Sequence, residues 1–187
     1  YPQWSAQQST EPFPYDRHGW RRSYTSGTTG RPTGVVRYDS GDKPFSEAFV
    51  ASSAFAGALQ IPRDALHLVV SRLFHGAPLT FALAALGAGT PLFIMERWDA
   101  AIAIDHLADG MGSTIMVPTM FRQMLALPDT VRAKLPVPTL GVVIHGGEPC
   151  PIGLKRRMID WFGPVLVEKH GGILAAQLEG YGLGGGG

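Results

Sequence analysis

The segment Tyr24-Thr25-Ser26-Gly27-Thr28-Thr29-Gly30-Arg31-Pro32-Thr33-Gly34 concentrates chemistry that suits a polyanion. Its glycines permit tight turns with positive φ and let backbone N–H groups approach a ligand closely. Successive N–H groups in such a loop form an anion-binding nest. The hydroxyls of Thr25, Ser26, Thr28 and Thr29, with Thr33 further on, add donors for phosphate oxygens. A polar hairpin turn is the plainer alternative. Because the loop leaves a strand-like segment and combines five Ser/Thr hydroxyls with three glycines, a phosphate loop is the favoured reading. It is not a Walker loop, since G-x-x-x-x-G-K-[ST] does not occur.

His145-Gly146-Gly147 resembles the oxyanion segment of α/β-hydrolase esterases, but no serine sits in the G-x-S-x-G turn which that chemistry needs. The six histidines, His18, His67, His75, His106, His145 and His170, show no zinc spacing with Cys150, so no metal ligand is assigned. Cys150 reads as a small residue at a helix start, not as a nucleophile. Lys155, Arg156 and Arg157 read as a solvated basic face. Trp98, Trp161 and the phenylalanines read as core.

Tyr24 to Gly34 resembles the phosphate-loop signature of the adenylate-forming enzymes, Tyr-Thr-Ser-Gly-Thr-Thr-Gly-x-Pro-Lys-Gly; ten of its eleven positions fit. Leu73–Gly76 is similar to the family's Phe-His segment, which borders the acyl pocket. His145–Pro149 is similar to its Gly-Gly-x-Pro segment, which lies against adenine. Val165–Gly172 falls where the family has a strand ending in Tyr-Gly-x-Thr-Glu. The resemblance runs from about Tyr24 to Gly172 and is greatest to the fatty-acyl-CoA ligase branch. It implies two steps. A carboxylate attacks the α-phosphate of ATP, giving acyl-AMP and pyrophosphate, and coenzyme A then takes the acyl group. It also implies that Thr25, Ser26, Gly27, Thr28, Thr29, Gly30 and Thr33 hold the ATP phosphates. Gly146, Gly147, Glu148 and Pro149 would line the adenine, and His75 the acyl pocket. ATP, Mg²⁺ and coenzyme A are the implied cofactors, with a fatty acid as substrate.

Three departures from the pattern stand out. Thr33 replaces the loop lysine, so a single hydrogen bond replaces a point charge. Ile173 and Leu174 fall where the family has its Thr and its Mg²⁺-linked Glu. The family's ribose-binding Asp, hinge and C-terminal lysine do not occur, so no catalytic residue is assigned within the chain.

Elements must position these groups. Ser23–Ser26 reads as a strand, Gly27–Gly34 as the loop and Val35–Arg37 as a short return strand. Phe45–Leu59 has the spacing of an amphipathic helix. Apolar runs at Leu66–Val70, Pro91–Met95, Ser113–Val117, Leu140–Ile144 and Pro164–Val167 read as strands. Helices alternate with them: Ala77–Leu86, one capped by Asp99 running to about Met111, Thr119–Ala126 with Pro118 leading, and one opened by Pro151 through Trp161. Continuous apolar strands are buried on both faces. The expected fold is therefore α/β, a mostly parallel sheet flanked by helices, and by resemblance part of the large N-terminal domain of an adenylate-forming enzyme. Residues 1–21 read as an extended lead-in, 22–172 as the core and 173–187 as a glycine-rich tail.

Composition bounds the remaining choices. The 187 residues are 45% hydrophobic and 17% charged, too apolar for intrinsic disorder. With 24 glycines and 15 prolines, turn residues make up about a fifth of the chain, where ~12% is usual. One cysteine rules out a disulfide scaffold and fits the cytoplasm. A net charge of +1 gives no case for a nucleic-acid partner. Phe81–Met95 is too short and too glycine-interrupted for a transmembrane segment. The leading reading is an incomplete AMP-forming acyl-CoA ligase of fatty acid metabolism, inactive as an isolated chain. A degenerate nucleotide-binding or interaction module without catalysis and a truncated chain with no function of its own are the alternatives.

Overall fold

The computed structural model describes residues 2–11, 17, 22–25, 33–36, 43–170 and 173–175. The chain divides into two compact units, Tyr1–Val50 and Ala51–Gly187. In the first, α1 (Pro2–Ser5) is a single helical turn where an extended lead-in was expected. Gln7 N–H donates to the Trp4 carbonyl at 3.1 Å and Gln8 Nε2 donates to the same oxygen at 3.0 Å, which closes that turn. β1 (Arg22–Thr25) and β2 (Thr33–Val36) form an antiparallel hairpin, a two-stranded sheet of their own, in which Thr25 pairs with Thr33.

α2 (Phe45–Ala58) follows. Its apolar spacing suggests a single buried stripe, but Phe45 and Val50 are 57% and 67% exposed, while Ala56 and Leu59 are buried. Among the described side chains the stripe is therefore buried towards the end of the helix, where small alanines let the backbone come close to its neighbours.

The second unit carries β3 (Leu66–Val69), α3 (Gly76–Gly87), β4 (Leu92–Ile94), α4 (Ala100–Ala108), β5 (Met111–Met116), α5 (Pro118–Leu125), α6 (Asp129–Arg132), β6 (Val142–Gly146), α7 (Ile152–Phe162), β7 (Leu166–His170) and β8 (Ile173–Ala175). Its sheet has the order β4-β3-β5-β6-β7-β8, parallel throughout except for β8 against β7. All five expected parallel strands form, with ends displaced by at most three residues. The sheet runs beyond Gly172, where a tail was expected, because Ile173, Leu174 and Ala175 pair with His170, Lys169 and Glu168.

β5 is the central test of the buried-strand argument. All six of its residues are buried, although Ser113 and Thr114 are polar. Both are satisfied across the strand pair: Thr114 Oγ1 donates to the Leu68 carbonyl at 2.9 Å, and Ser113 Oγ lies 2.8 Å from His67 Nδ1. The register slips at Gly112, where Leu66 pairs with Met111 and His67 with Ser113. A Cβ at Gly112 would stand 2.6 Å from Ala65 Cβ, so only glycine fits this bulge.

Helix ends follow local chemistry. Asp99 accepts from the N–H groups of Ala101 and Ile102 at 2.9 and 3.0 Å and caps α4. That helix stops at Ala108, short of the expected Met111, because Gly110 at φ +105° turns the chain into β5. Pro118 occupies the first position of α5, where its missing N–H costs nothing.

Two apolar layers cover the sheet. Leu68, Val143 and Leu166 pack with Ile104 and Leu107 of α4, Phe121 and Met124 of α5, and Met158 and Phe162 of α7. Ile115, Val142 and Ile144 pack on the other side with Phe81, Ala84 and Ala85 of α3 and with Ala56 of α2. Alanines on the buried stripe of α3 bring that helix close to the sheet.

Candidate functional site

From β3 the chain steps outward to β4, then crosses back to β5 on the other side of β3. The connecting helices α3 and α4 thereby lie on opposite faces. In such sheets a crevice opens beyond the carboxyl ends of the strands where the order reverses, and ligands bind there. A cavity of about 440 Å³ occupies this place. Ser71 lines it after β3, Ala77 and Pro78 from the first turn of α3, Ile115 to Val117 at the end of β5, Gly146 to Pro149 after β6, and Lys169 on β7. Its size lies within the ~300–1,000 Å³ usual for small-molecule sites.

Gly146, Gly147, Glu148 and Pro149 are thus brought together on one wall. A Cβ at Gly146 would stand 2.7 Å from the Lys169 carbonyl oxygen, so the close approach of β6 and β7 requires glycine. Gly147 has φ +87°, the left-handed region that favours glycine. Glu148 Oε1 accepts from Thr119 N–H at 2.7 Å and from Thr119 Oγ1 at 2.8 Å. The Thr119 hydroxyl first, then its N–H, hold the Glu148 carboxyl below its ordinary range. The carboxylate therefore binds the start of α5, which satisfies an otherwise unpaired helix donor.

His75 stands apart. It is the N-cap residue of α3 without a side-chain capping bond, and it lines a neighbouring cavity of about 290 Å³ with Val70, Arg72, Met95, Glu96 and Trp98. Ser71 borders both cavities. The backbones of Thr25 and Thr33 face each other in the hairpin. Ser26, Gly27, Thr28, Thr29 and Gly30 lie outside the described residues.

Other assignments resolve in the same way. His145 is fully buried with its ring edge-on to Phe121 at 5.4 Å, so it packs in the core and does not present itself to a substrate. Burial pushes the Cys150 thiol up, which disfavours the thiolate a nucleophile needs. Lys155 is a correction: instead of joining a solvated face it is largely buried and pairs with the buried carboxylate of Glu168 on β7. Trp161 is partly buried, and its Nε1 donates toward the carbonyls of Arg132 and Leu135 at 3.2 and 3.3 Å. Among the described residues no group of three or more His, Cys, Asp or Glu is placed to hold a metal ion. Leu174 occupies the register position opposite Lys169, and neither residue carries a carboxylate for Mg²⁺. Among the described residues no helix is long and apolar enough to cross a membrane.

Lys169 escaped the sequence reading. Its Nζ lies 5.3 Å from the centroid of the Phe81 ring. The signal lay in the run Val167-Glu168-Lys169-His170, since alternation in a strand sends Glu168 and Lys169 to opposite faces.

The family model described as AMP-binding enzyme matches residues 23–182. The chain belongs to the AMP-binding enzyme family. Among curated relatives of this family it is 32% identical over 154 residues to novobiocin biosynthesis protein H of Streptomyces niveus, which is 79% of this chain and 22% of that protein. It is 31% identical over 137 residues to the long-chain-fatty-acid–CoA ligase FadD13 of Mycobacterium tuberculosis, 71% of this chain and 25% of the relative. The chain thus spans about a quarter of the length of the curated relatives it matches. Among solved structures, the inhibitor-bound N-terminal domain of FACL13 from Mycobacterium tuberculosis superposes with a TM-score of 0.64 at 26% identity, covering 80% of this chain and 36% of that one. The AMP-binding fold seen here is that of the large N-terminal domain of adenylate-forming enzymes.

Proposed function

We propose that this chain carries the nucleotide and acid site of a ligase that activates a carboxylic acid by adenylation. A carboxylate oxygen of the acid attacks the α-phosphorus of ATP, the bond to the bridging oxygen breaks, and pyrophosphate leaves. A thiol, that of coenzyme A by family resemblance, then attacks the acyl carbon and AMP departs. The observation that carries this reading is the wall formed by Gly146 and Gly147 beside an apolar cavity at the reversal of the strand order. Without side chains there, a flat base lies directly against backbone, and Ile115 and Pro78 supply apolar surface. In this reading Thr25 to Gly30 and Thr33 hold the phosphates, and His75 borders the acid from the neighbouring cavity, which shares Ser71 with the large one.

The acid is the finer question. Relatives carry names for a long-chain fatty acid, 2-succinylbenzoate and a feruloyl group. The fatty acid expected from the sequence suits the apolar lining at Ala77 and Met116. For Mg²⁺ the described residues offer no fit, and no step is assigned to it.

Displacement of a fluorescent adenosine probe by AMP and ATP tests the reading. Both nucleotides should displace it, and Ala77→Trp, which fills the cavity from α3, should abolish binding while the fold is retained. Unchanged binding with the cavity filled would refute it. Thr33 and Leu174 favour a second reading, a nucleotide-binding module without catalysis. Binding without carboxylate-dependent pyrophosphate exchange in the full-length protein would support that alternative.

A further inference from the structure

Past Gly146 the glycine wall leaves the sheet, because the ladder with β7 ends on the pair Gly146 and Lys169. Among the described residues, no backbone hydrogen bond then holds Gly147, Glu148 or Pro149. Gly147 has no side chain with which to hold itself, and Pro149 has no N–H. The segment is tied instead by one side chain. Glu148 Oε1 accepts twice from Thr119, at 2.7 Å from the N–H and at 2.8 Å from the hydroxyl. The partners are 29 residues apart in sequence, so this is a tertiary contact and not a turn closing on itself. Its other end is firm. Thr119 follows Pro118 in the first turn of α5, where an N–H has no partner within the helix. Phe121 and Met124 of that helix are fully buried.

A carboxylate on the lining of a nucleotide cavity has three ways to act. It can hold a cation for the phosphates, it can meet the ligand itself, or it can place another group. Glu148 commits one oxygen to two donors on α5, which are charge-assisted bonds and favour the third way. Among the described residues it belongs to no group of three or more His, Cys, Asp or Glu that could hold a metal. The group it places is the backbone of Gly146 and Gly147, which precede it in the chain and line the same cavity. We propose that Glu148 is a positioning residue: through Thr119 it sets the glycine wall where the base rests, and it acts on the nucleoside half of the ligand alone. This rests on the adenylating function proposed above and goes beyond it by giving one lining side chain a role.

Isothermal titration with adenosine, AMP and ATP tests it, because the three share the base and differ in their phosphates. Glu148→Ala should weaken all three by a similar factor, about tenfold, the low end for bonds to a charged group. Glu148→Gln keeps an amide oxygen that accepts both bonds and should stay within about threefold of wild type. Thr119→Val removes the hydroxyl, keeps the N–H and should fall between Glu148→Ala and wild type. It also reaches the contact from α5 if Glu148→Ala fails to fold, which thermal melts will show. The double variant should bind no more weakly than Glu148→Ala, since the partner is already gone. Unchanged adenosine binding in Glu148→Ala overturns the proposal. So does a loss confined to ATP, for then the carboxylate serves the phosphates or a cation. A Glu148→Gln variant as weak as Glu148→Ala overturns it too, as do losses that add in full in the double variant. If adenosine, AMP and ATP all fail to bind wild type, the adenylating reading fails and this one with it. Wild-type binding with an indifferent Glu148→Ala sinks this inference alone.

Discussion

Mild acidification should destabilise this protein through His67. The ring is fully buried on β3, with Nδ1 against Ser113 Oγ at 2.8 Å and no hydrogen-bond partner for Nε2 among the described residues. Burial lowers its pKa from 6.5 to about 4. The folded state thus favours the neutral ring, while the unfolded chain gains a proton near pH 6.5. The contribution is fully present above pH 6.5 and is lost as pH falls toward 4, because the unfolded state binds more protons in that window. At ~1.4 kcal/mol per pKa unit the full span is worth about 3 kcal/mol, of which about 2 kcal/mol is lost between pH 7 and pH 5. Urea unfolding at half-unit steps from pH 7.5 to 5 measures it. His67→Asn keeps a polar atom near the Nδ1 position without titrating, and its curve should be flatter by that ~2 kcal/mol. Comparing the two proteins separates the His67 contribution from that of every other group. Parallel curves for wild type and variant would refute the reasoning.

Three other outcomes follow from the geometry. Thr33→Lys should tighten ATP by roughly 1.5–3 kcal/mol in titrations at low salt, less at high salt, with adenosine unchanged; equal gains for ATP and adenosine would mean that the hairpin loop is no phosphate site. Gly146→Ala should lower stability by about 1–3 kcal/mol in urea melts, because its Cβ meets the Lys169 carbonyl oxygen; a neutral effect would show that β6 and β7 separate freely. Lys155→Met should cost about 3–5 kcal/mol by removing the cation that pairs with the buried Glu168 carboxylate, and the added change Glu168→Leu should recover most of it. No recovery would show that the pair is not the source of the loss.

Much of the second unit was legible because its strands are continuous apolar runs and its helices begin with Asp99, Pro118 and Pro151. Such signals are local. What escaped depends on partners distant in sequence. Gly110 ended α4 early because β5 needed Met111 buried, and β8 formed because Ile173–Ala175 found an edge on β7. Lys155 looked solvated until Glu168 was placed beneath it. Within the candidate site, Gly146 to Pro149 were marked by their resemblance to the family's Gly-Gly-x-Pro segment, whereas Lys169 and Ile115 required strand register and sheet order to enter the cavity.

The bond from Glu148 to Thr119 has a consequence for the entropy of recognition. A loop that closes only around its ligand must give up its freedom at the moment of binding, which weakens affinity. Here the carboxylate already anchors the loop after β6 to the first turn of α5, and Phe121 and Met124 fix that helix in the core. One wall of the cavity is therefore preorganised. A ligand resting on Gly146 and Gly147 should leave amide exchange in α5 nearly unchanged, since that rigidity belongs to the free protein.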